Sequence, residues 1–296
     1  MNKNGALLGM LAETPLHPGT GTATGVVDLP VQREVHTNYP IIVGSSLKGA
    51  MREKAARGAD DDIVNTIFGP ANDGAPTHAG AISISDARLL AFPVRALEAV
   101  CVWVTCPKIV DRLRRDMGLL NLTPNLPKLE DIGKDKAYVA SDFPADKRLV
   151  LEEIYLGLDK NKTADIATLA NIISGFIPSG DTHSHLTDIL KKHLVVISDA
   201  DFSHLVQTCT QVSARIVLDD KKSSKNLWYE ESIPPDTIFY TMIMADKPRN
   251  GNKTIIDAAD VLKQFKDYVC GYLQVGGNET VGMGWCALAY YTGPRT

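Results

Sequence analysis

An α+β fold follows from three observations on this 296-residue chain. Residues 5–106 order as strand, helix, strand, strand, and residues 236–291 as strand, helix, loop, strand. Between these groups the sequence turns to proline, asparagine and charge, which reads as insertion rather than core.

GALLGMLAE (5–13) is apolar over strand length and reads as a first buried strand. Thr14 to Tyr39 is rich in Thr, Gly and Pro, and loops that long in a compact domain are more often functional than idle. This one holds His17, Asp28, Arg33, Glu34 and His36. The apolar run Ile41, Ile42, Val43 then meets Gly44 and two serines, and Leu47, Ala50 and Met51 recur at buried-helix spacing. Ser45 or Ser46 is placed to cap that helix, and Lys48 and Arg52, four apart, share a face away from the apolar stripe. Unpaired N–H groups in the first turn favour an anion, Gly44 lets a phosphate approach, and Lys48 and Arg52 would flank it. The same spacing also fits an ordinary capped surface helix.

Asp60 to Phe68 predicts a second helix, from an acidic start to Gly69-Pro70. Gly80 to Leu90 and Glu98 to Cys106 read as strands. Lys108 to Met117 reads as a helix with Lys108, Arg112 and Arg115 on its polar side, a solvated face unless it lines a groove. Gly118 to Asp146 is irregular, and Arg148 to Leu156 fits a strand. Ile166 to Phe176 and Leu186 to His193 read as helices punctuated by Pro178-Ser179-Gly180, with Asp181, His183 and His185 in a polar loop. Leu194 to Ser198 is a short strand, Asp201 to Cys209 a helix, and Gln211 to Leu218 and Asp236 to Ala245 are strands. The polar DDKKSSKNLWYEESIPP between the last two predicts a protruding hairpin. Thr254 to Tyr272 reads as a helix on the stripe Ala258, Val261, Leu262, Phe265, Tyr268 and Val269, and Val281 to Tyr291 as the closing strand. The order fits a ferredoxin-like (RRM-like) core with large insertions. The domain is single over 1–296, with core at 1–110 and 194–296, an inserted subdomain at 111–193 and the hairpin at 215–236.

Hydrophobic content of 44% supports a substantial core. A net charge of −4 lacks the bulk basicity of many nucleic-acid binders, so charge distribution must carry any such reading. Five cysteines without a C-x-x-C pair argue against a disulfide framework. No signal pattern or membrane-spanning apolar run occurs, and the expectation is a soluble, cytoplasmic protein without membrane contact.

The run Gly44-Ser45-Ser46-Leu47-Lys48-Gly49-x-x-Arg52 resembles a motif of the RAMP superfamily, the RNA-binding proteins of CRISPR systems. QVGGNETVGMGW (Gln274 to Trp285) resembles that superfamily's glycine-rich loop. PLHPGTGTATGVVDLPVQRE (Pro15 to Glu34) is similar to the backbone subunits of type III-B (Cmr) effector complexes. The resemblance implies a multi-copy subunit that stacks along guide RNA beside other Cmr subunits and cleaves complementary target RNA. It implies guide contacts at Ser45, Ser46, Lys48 and Arg52, with Gly276 and Gly277 in a loop beside the guide-binding helix. A dinucleotide fingerprint is excluded, because this glycine loop follows a helix and precedes a strand.

Asp28 matches the family's catalytic aspartate in position and context. A carboxylate can hold a divalent ion (Mg2+ or Mn2+) near a phosphodiester, and the RNA 2′-hydroxyl is an internal nucleophile. Without the resemblance, Asp28 reads first as a turn aspartate bonded to its own backbone. The resemblance places a histidine at His17, able to move protons. It also places acidic and aromatic residues in the region of Tyr229, Glu230 and Glu231, one of which is expected to approach a neighbour's Asp28; a solvated edge with one packed aromatic fits the residues as well. Lys221, Lys222 and Lys225 form a basic tip that, with Trp228 or Tyr229, suits phosphate contact and base stacking; a thumb-like hairpin is what the resemblance implies here. Two alternatives stay open: a guide-binding scaffold without chemistry, and a metal-independent precursor-guide endonuclease with a histidine-centred site.

Overall fold

The computed structural model describes residues 4–23, 25–70, 78–123, 125–130, 132–145, 147–252 and 254–293. In chain order the elements begin with β1 (Asn4–Ala12), β2 (Ile41–Ile42), α1 (Gly44–Ala56), α2 (Asp61–Phe68), β3 (Ile82–Ile84), β4 (Ala87–Ala96), β5 (Val100–Thr105) and α3 (Pro107–Leu119). The middle contributes β6 (Lys136–Val139), β7 (Arg148–Leu151), β8 (Ile154–Asp159), α4 (Thr163–Ser174), α5 (Asp181–His193), β9 (Leu194–Val196) and α6 (Asp199–Thr208). The rest is β10 (Gln211–Leu218), β11 (Ser224–Ser232), β12 (Ile238–Ala245), α7 (Ala258–Tyr268), β13 (Tyr272–Gln274) and β14 (Trp285–Tyr290).

The fold is mixed α+β and its main sheet is barrel-like. An antiparallel path runs β13-β14-β1-β12-β4. The first part of β4 pairs with β12, from Arg88 to Ala91, and its second part pairs with β5, from Phe92 to Ala96. Pro93, which has no N–H to donate, sits just past the handover. Strands β5, β9, β6, β8 and β7 continue round until Leu151 meets Ala96 of β4, which closes a ring. The strands of the predicted insertion therefore complete the main sheet. Their Leu149 and Leu156 share one core cluster with Leu8 and Phe92.

Burial along β1 is continuous from Leu7 to Ala12 rather than alternating, so both its faces are covered. Helices α1 and α7 pack on the antiparallel path, and a Cβ on Gly9 would lie 2.2 Å from the Phe176 carbonyl oxygen beyond α4. Phe176 in turn stacks on Tyr291 at 4.7 Å. No open face at β1 is left for bases to stack on. Among the described residues no helix is long and apolar enough to cross a membrane.

Several elements differ from the sequence expectation, each for a local reason. The strand expected at 80–90 is two strands broken at Ser85-Asp86, where the Asp86 side chain accepts the Gly44 N–H at 2.7 Å. The strand at 148–156 is a hairpin turning at Glu152, whose φ is +49°. The last helix runs only from Ala258 to Tyr268. Asp257 caps it by accepting from Ala259 and Asp260 N–H at 2.8 and 2.9 Å, and Gly271 at φ +69° turns the chain into β13. Asp181, His183 and His185 lie on α5 rather than in a loop, and buried His183 bonds Glu13 at 2.6 Å.

Strands β10 and β11 form a separate two-stranded sheet, paired from Gln211↔Ser232 to Leu218↔Ser224, and β11 also bridges to Leu29 of the long loop. This hairpin starts four residues before the expected 215, since the apolar alternation of 211–218 already belongs to its first strand. Asp219 Oδ1 accepts the Lys221 and Ser223 N–H groups at 2.9 and 2.8 Å, which fixes the turn. Lys221, Lys222 and Lys225 are exposed at or beside that turn.

Candidate active site

The long loop after β1 is laid against the end of β11. Leu16 and Ile233 exchange backbone hydrogen bonds of 2.9 and 2.8 Å. Leu29 donates to the Tyr229 carbonyl at 3.1 Å and accepts from Glu231 N–H at 3.0 Å. Asp28 is thereby set beside Tyr229, whose N–H donates to Asp28 Oδ2 at 2.7 Å. The Asp28 side chain is exposed, and among the described residues its other oxygen carries no partner.

His17 lies deeper, 8% exposed, with Nδ1 2.6 Å from the Glu231 carbonyl oxygen. A carbonyl only accepts, so Nδ1 carries the proton and Nε2 of the neutral ring is the acceptor. The anchors for Asp28 and His17, Tyr229 and Glu231, are two residues apart, about 7 Å along a strand. The His17 carbonyl accepts Gly277 N–H at 3.0 Å. Gly276, at φ +84°, passes so close that a Cβ would lie 2.5 Å from that same oxygen. Glycine is required there, and Gly276 and Gly277 serve to seat the C-terminal loop on His17.

The two glutamates are not free acids aimed at a neighbour. Glu231 is buried: Oε2 accepts Val31 N–H at 3.0 Å, and Oε1 receives Arg33 at 2.5 Å and Thr210 at 2.8 Å. Glu230 is buried against Asn278 Nδ2 at 2.5 Å and faces Arg215 at 3.5 Å. Both carboxylates fasten the hairpin base to the loops around Asp28 of their own chain. Tyr229 alone of the three stays open, at 44% exposure. A cavity of about 330 Å³ lies against Glu230, between Arg215, Pro15 and Met283. Arg33, Thr210, Arg215 and Asn278 are the partners that sequence reasoning missed; no local signal marks them, Arg33 and Glu231 being 198 positions apart.

Helix α1 departs from its expected design. Its N-cap is Val43 with no side-chain cap, and Ser45 and Ser46 are exposed within the first turn. The anion at its N-terminus is the chain's own Asp86. A Cβ on Gly44 would lie 2.7 Å from the Ile84 carbonyl, so this glycine admits backbone, not phosphate. Lys48 Nζ donates to the Ile82 carbonyl at 3.3 Å. Burial, with Arg52 and Arg249 nearby, holds its pKa below the ordinary lysine value. Arg52 donates to the Gly69 carbonyl and, at 2.9 Å, to Asn65 Oδ1.

Among the described residues no three His, Cys, Asp or Glu side chains converge as a metal cage. A single exposed carboxylate oxygen still fits a hydrated divalent ion that takes its other ligands from water and phosphate.

A profile of the RAMP superfamily matches residues 10–287. The chain is 36% identical over 287 residues to the CRISPR system Cmr endoribonuclease Cmr4 of Pyrococcus furiosus, covering 94% of this chain and 93% of that protein. It is 28% identical over 303 residues to the CRISPR system CMR subunit Cmr4 of Saccharolobus solfataricus, covering 94% of each. Among solved structures, oligomeric Cmr4 from Pyrococcus furiosus matches with a TM-score of 0.74 at 30% identity, over 97% of this chain and 98% of that one.

Proposed function

The chain belongs to the RAMP superfamily, and on that premise we propose that it is the target-cutting backbone subunit of a type III-B (Cmr) CRISPR complex. Copies stack head to tail along a guide RNA, beside other Cmr subunits, and each cuts the paired target RNA once. The observation that carries this reading is Asp28, exposed and held on the Tyr229 N–H at 2.7 Å next to the His17 anchor. The likeness to a protein named an endoribonuclease gives that geometry a reaction.

The strand order β14-β1-β12-β4, with α1 and α7 as the crossovers, supports a ferredoxin-like core. The free-standing β10–β11 pair suits a thumb that meets the guide–target duplex, with Lys221, Lys222 and Lys225 on phosphates and Tyr229 against a base. Head-to-tail repetition builds a filament rather than a closed dimer.

In this reading the chain positions the linkage and moves a proton. Asp28 faces the scissile linkage with its open oxygen, and His17, its Nδ1 held by the Glu231 carbonyl, offers Nε2 to the 2′-hydroxyl proton. The 2′-oxygen bonds phosphorus as the bond to the 5′-oxygen breaks, and that 5′-oxygen leaves as a hydroxyl after taking a proton from water. A divalent ion held by Asp28, Mg2+ or Mn2+, would offset charge building on the phosphate. The test is cleavage of labelled complementary RNA after reconstitution with guide and partner subunits. Regularly spaced cuts with magnesium, lost in EDTA, are expected. Cuts that survive EDTA favour the metal-independent endonuclease, and no cuts at all favour the scaffold.

Guide anchoring by Ser45, Ser46, Lys48 and Arg52 would be through backbone and independent of sequence. Lys48→Ala is the cleaner probe, since it gives up one long bond to the Ile82 carbonyl where Arg52→Ala breaks two, to Gly69 and Asn65. It is expected to weaken guide binding about tenfold, the worth of one charged hydrogen bond. Unchanged binding in a filter or gel-shift titration would remove Lys48 from the guide contact.

A further inference from the structure

The polar side of α3 lines grooves. Lys108, Arg112 and Arg115 recur at i, i+4 and i+7 on one side of the helix, which sets Lys108 and Arg115 about 10 Å apart along its axis. Two grooves of about 680 and 610 Å³ flank them, and Arg115 lines both. The first is walled by Arg88, Arg112, Glu34, His36 and Asp116, the second by Lys108, Asp111, Arg114 and Asp199.

Much of this charge is matched internally. Arg112 grips both oxygens of Glu34 at 2.5 and 3.0 Å, Arg88 meets Asp116 at 2.5 Å, and Arg114 pairs with Asp111. Asp199 accepts the Lys108 backbone N–H at 3.0 Å. The exposed Arg115 guanidinium and Lys108 ammonium are left without an ion pair among the described residues. The paired arginines form a stiff wall behind them.

The Arg112–Glu34 pair joins this surface to the loop that carries Asp28. Only the stretch 28–34 lies between, at most about 20 Å of chain. Neither groove is lined by Phe, Tyr or Trp, so a nucleic acid here would be held by phosphates without base stacking.

We propose that Lys108 and Arg115 form a second RNA-contact tract, which takes backbone phosphates of the strand being cut as it leads to Asp28. This rests on the reading of the chain as a target-cutting subunit. It adds a contact on a different helix from the guide anchor.

The test is the double reversal Lys108→Glu with Arg115→Glu in an Asp28→Asn background, where target stays whole. Complexes reconstituted with guide and partner subunits are titrated with labelled complementary RNA at several salt concentrations. Target binding at least about tenfold weaker is expected, with the log–log salt slope shallower by about two, one for each phosphate contact. Guide assembly stays intact. Reversing Arg148 and Lys192, exposed cations elsewhere, should leave the slope alone. Unchanged target affinity and slope in the Lys108 and Arg115 variant would overturn the tract. Loss of guide assembly instead would overturn its assignment to the target strand. Loss of a partner subunit with target binding unchanged would overturn it in favour of a protein contact. The readout is binding, so a failed nuclease reading shows separately, as a wild-type complex that holds target without cutting it.

Discussion

Asp28→Asn is expected to lower target-RNA cleavage at least about 100-fold while leaving guide assembly and thermal stability unchanged. The substitution is nearly isosteric, and its carbonyl oxygen can still accept the Tyr229 N–H that Asp28 Oδ2 accepts at 2.7 Å. What it removes is the charge on an exposed side chain, so the fold has little to lose. The loop is held independently by the Leu16–Ile233 and Leu29–Tyr229 backbone bonds. Labelled complementary RNA cut by wild-type and variant complexes on one gel measures the effect. Undiminished cutting with intact assembly would move the chemistry away from Asp28, and His17 would be the next position to test.

Glu231→Ala is expected to be among the most damaging single changes to the fold near the site. It strips a buried carboxylate that receives Val31 N–H, Arg33 and Thr210, and it leaves the largely buried Arg33 guanidinium without its counter-charge. Removing one partner of such a pair costs about 3–5 kcal/mol. In a chain of this size that lowers Tm by roughly 5–8 degrees. Cleavage should fall as well, even at temperatures where the variant is folded, because Val31 and Arg33 lie just beyond Asp28 on the same loop. Glu231→Gln keeps an acceptor for Val31 but loses the charge, and should fall between the two. A Tm within a degree of wild type for Glu231→Ala would show that the carboxylate is not the fastening described here.

The split between what was legible in the sequence and what was not follows the range of the interactions. Helix α2 was readable because its signals are local: an acidic first turn, an apolar stripe and a Gly69 stop. The β1 strand was readable from a continuous apolar run, which burial on both faces explains. Composition and family motifs singled out the His17–Asp28 loop and the glycine loop, and the structure brings the two together at the His17 carbonyl. Where the last helix ended was misread because Val269 keeps the apolar spacing past Tyr268, the last helical residue, before Gly271 turns the chain. Side-chain partnership was out of reach: Glu231 meets Val31 and Arg33 about 200 positions away, and His17 meets Glu231 across 214.

The sequence by itself determined the α+β class, most elements and the family, because periodicity, caps and motifs are written within a few residues of one another. Only the tertiary structure decided that Glu230 and Glu231 are fastenings, that Asp86 fills the N-terminus of α1, and that α3 lines grooves. A charged side chain buried by folding must take whatever partner the packing brings within about 3 Å, and no pattern along the chain specifies which one that is.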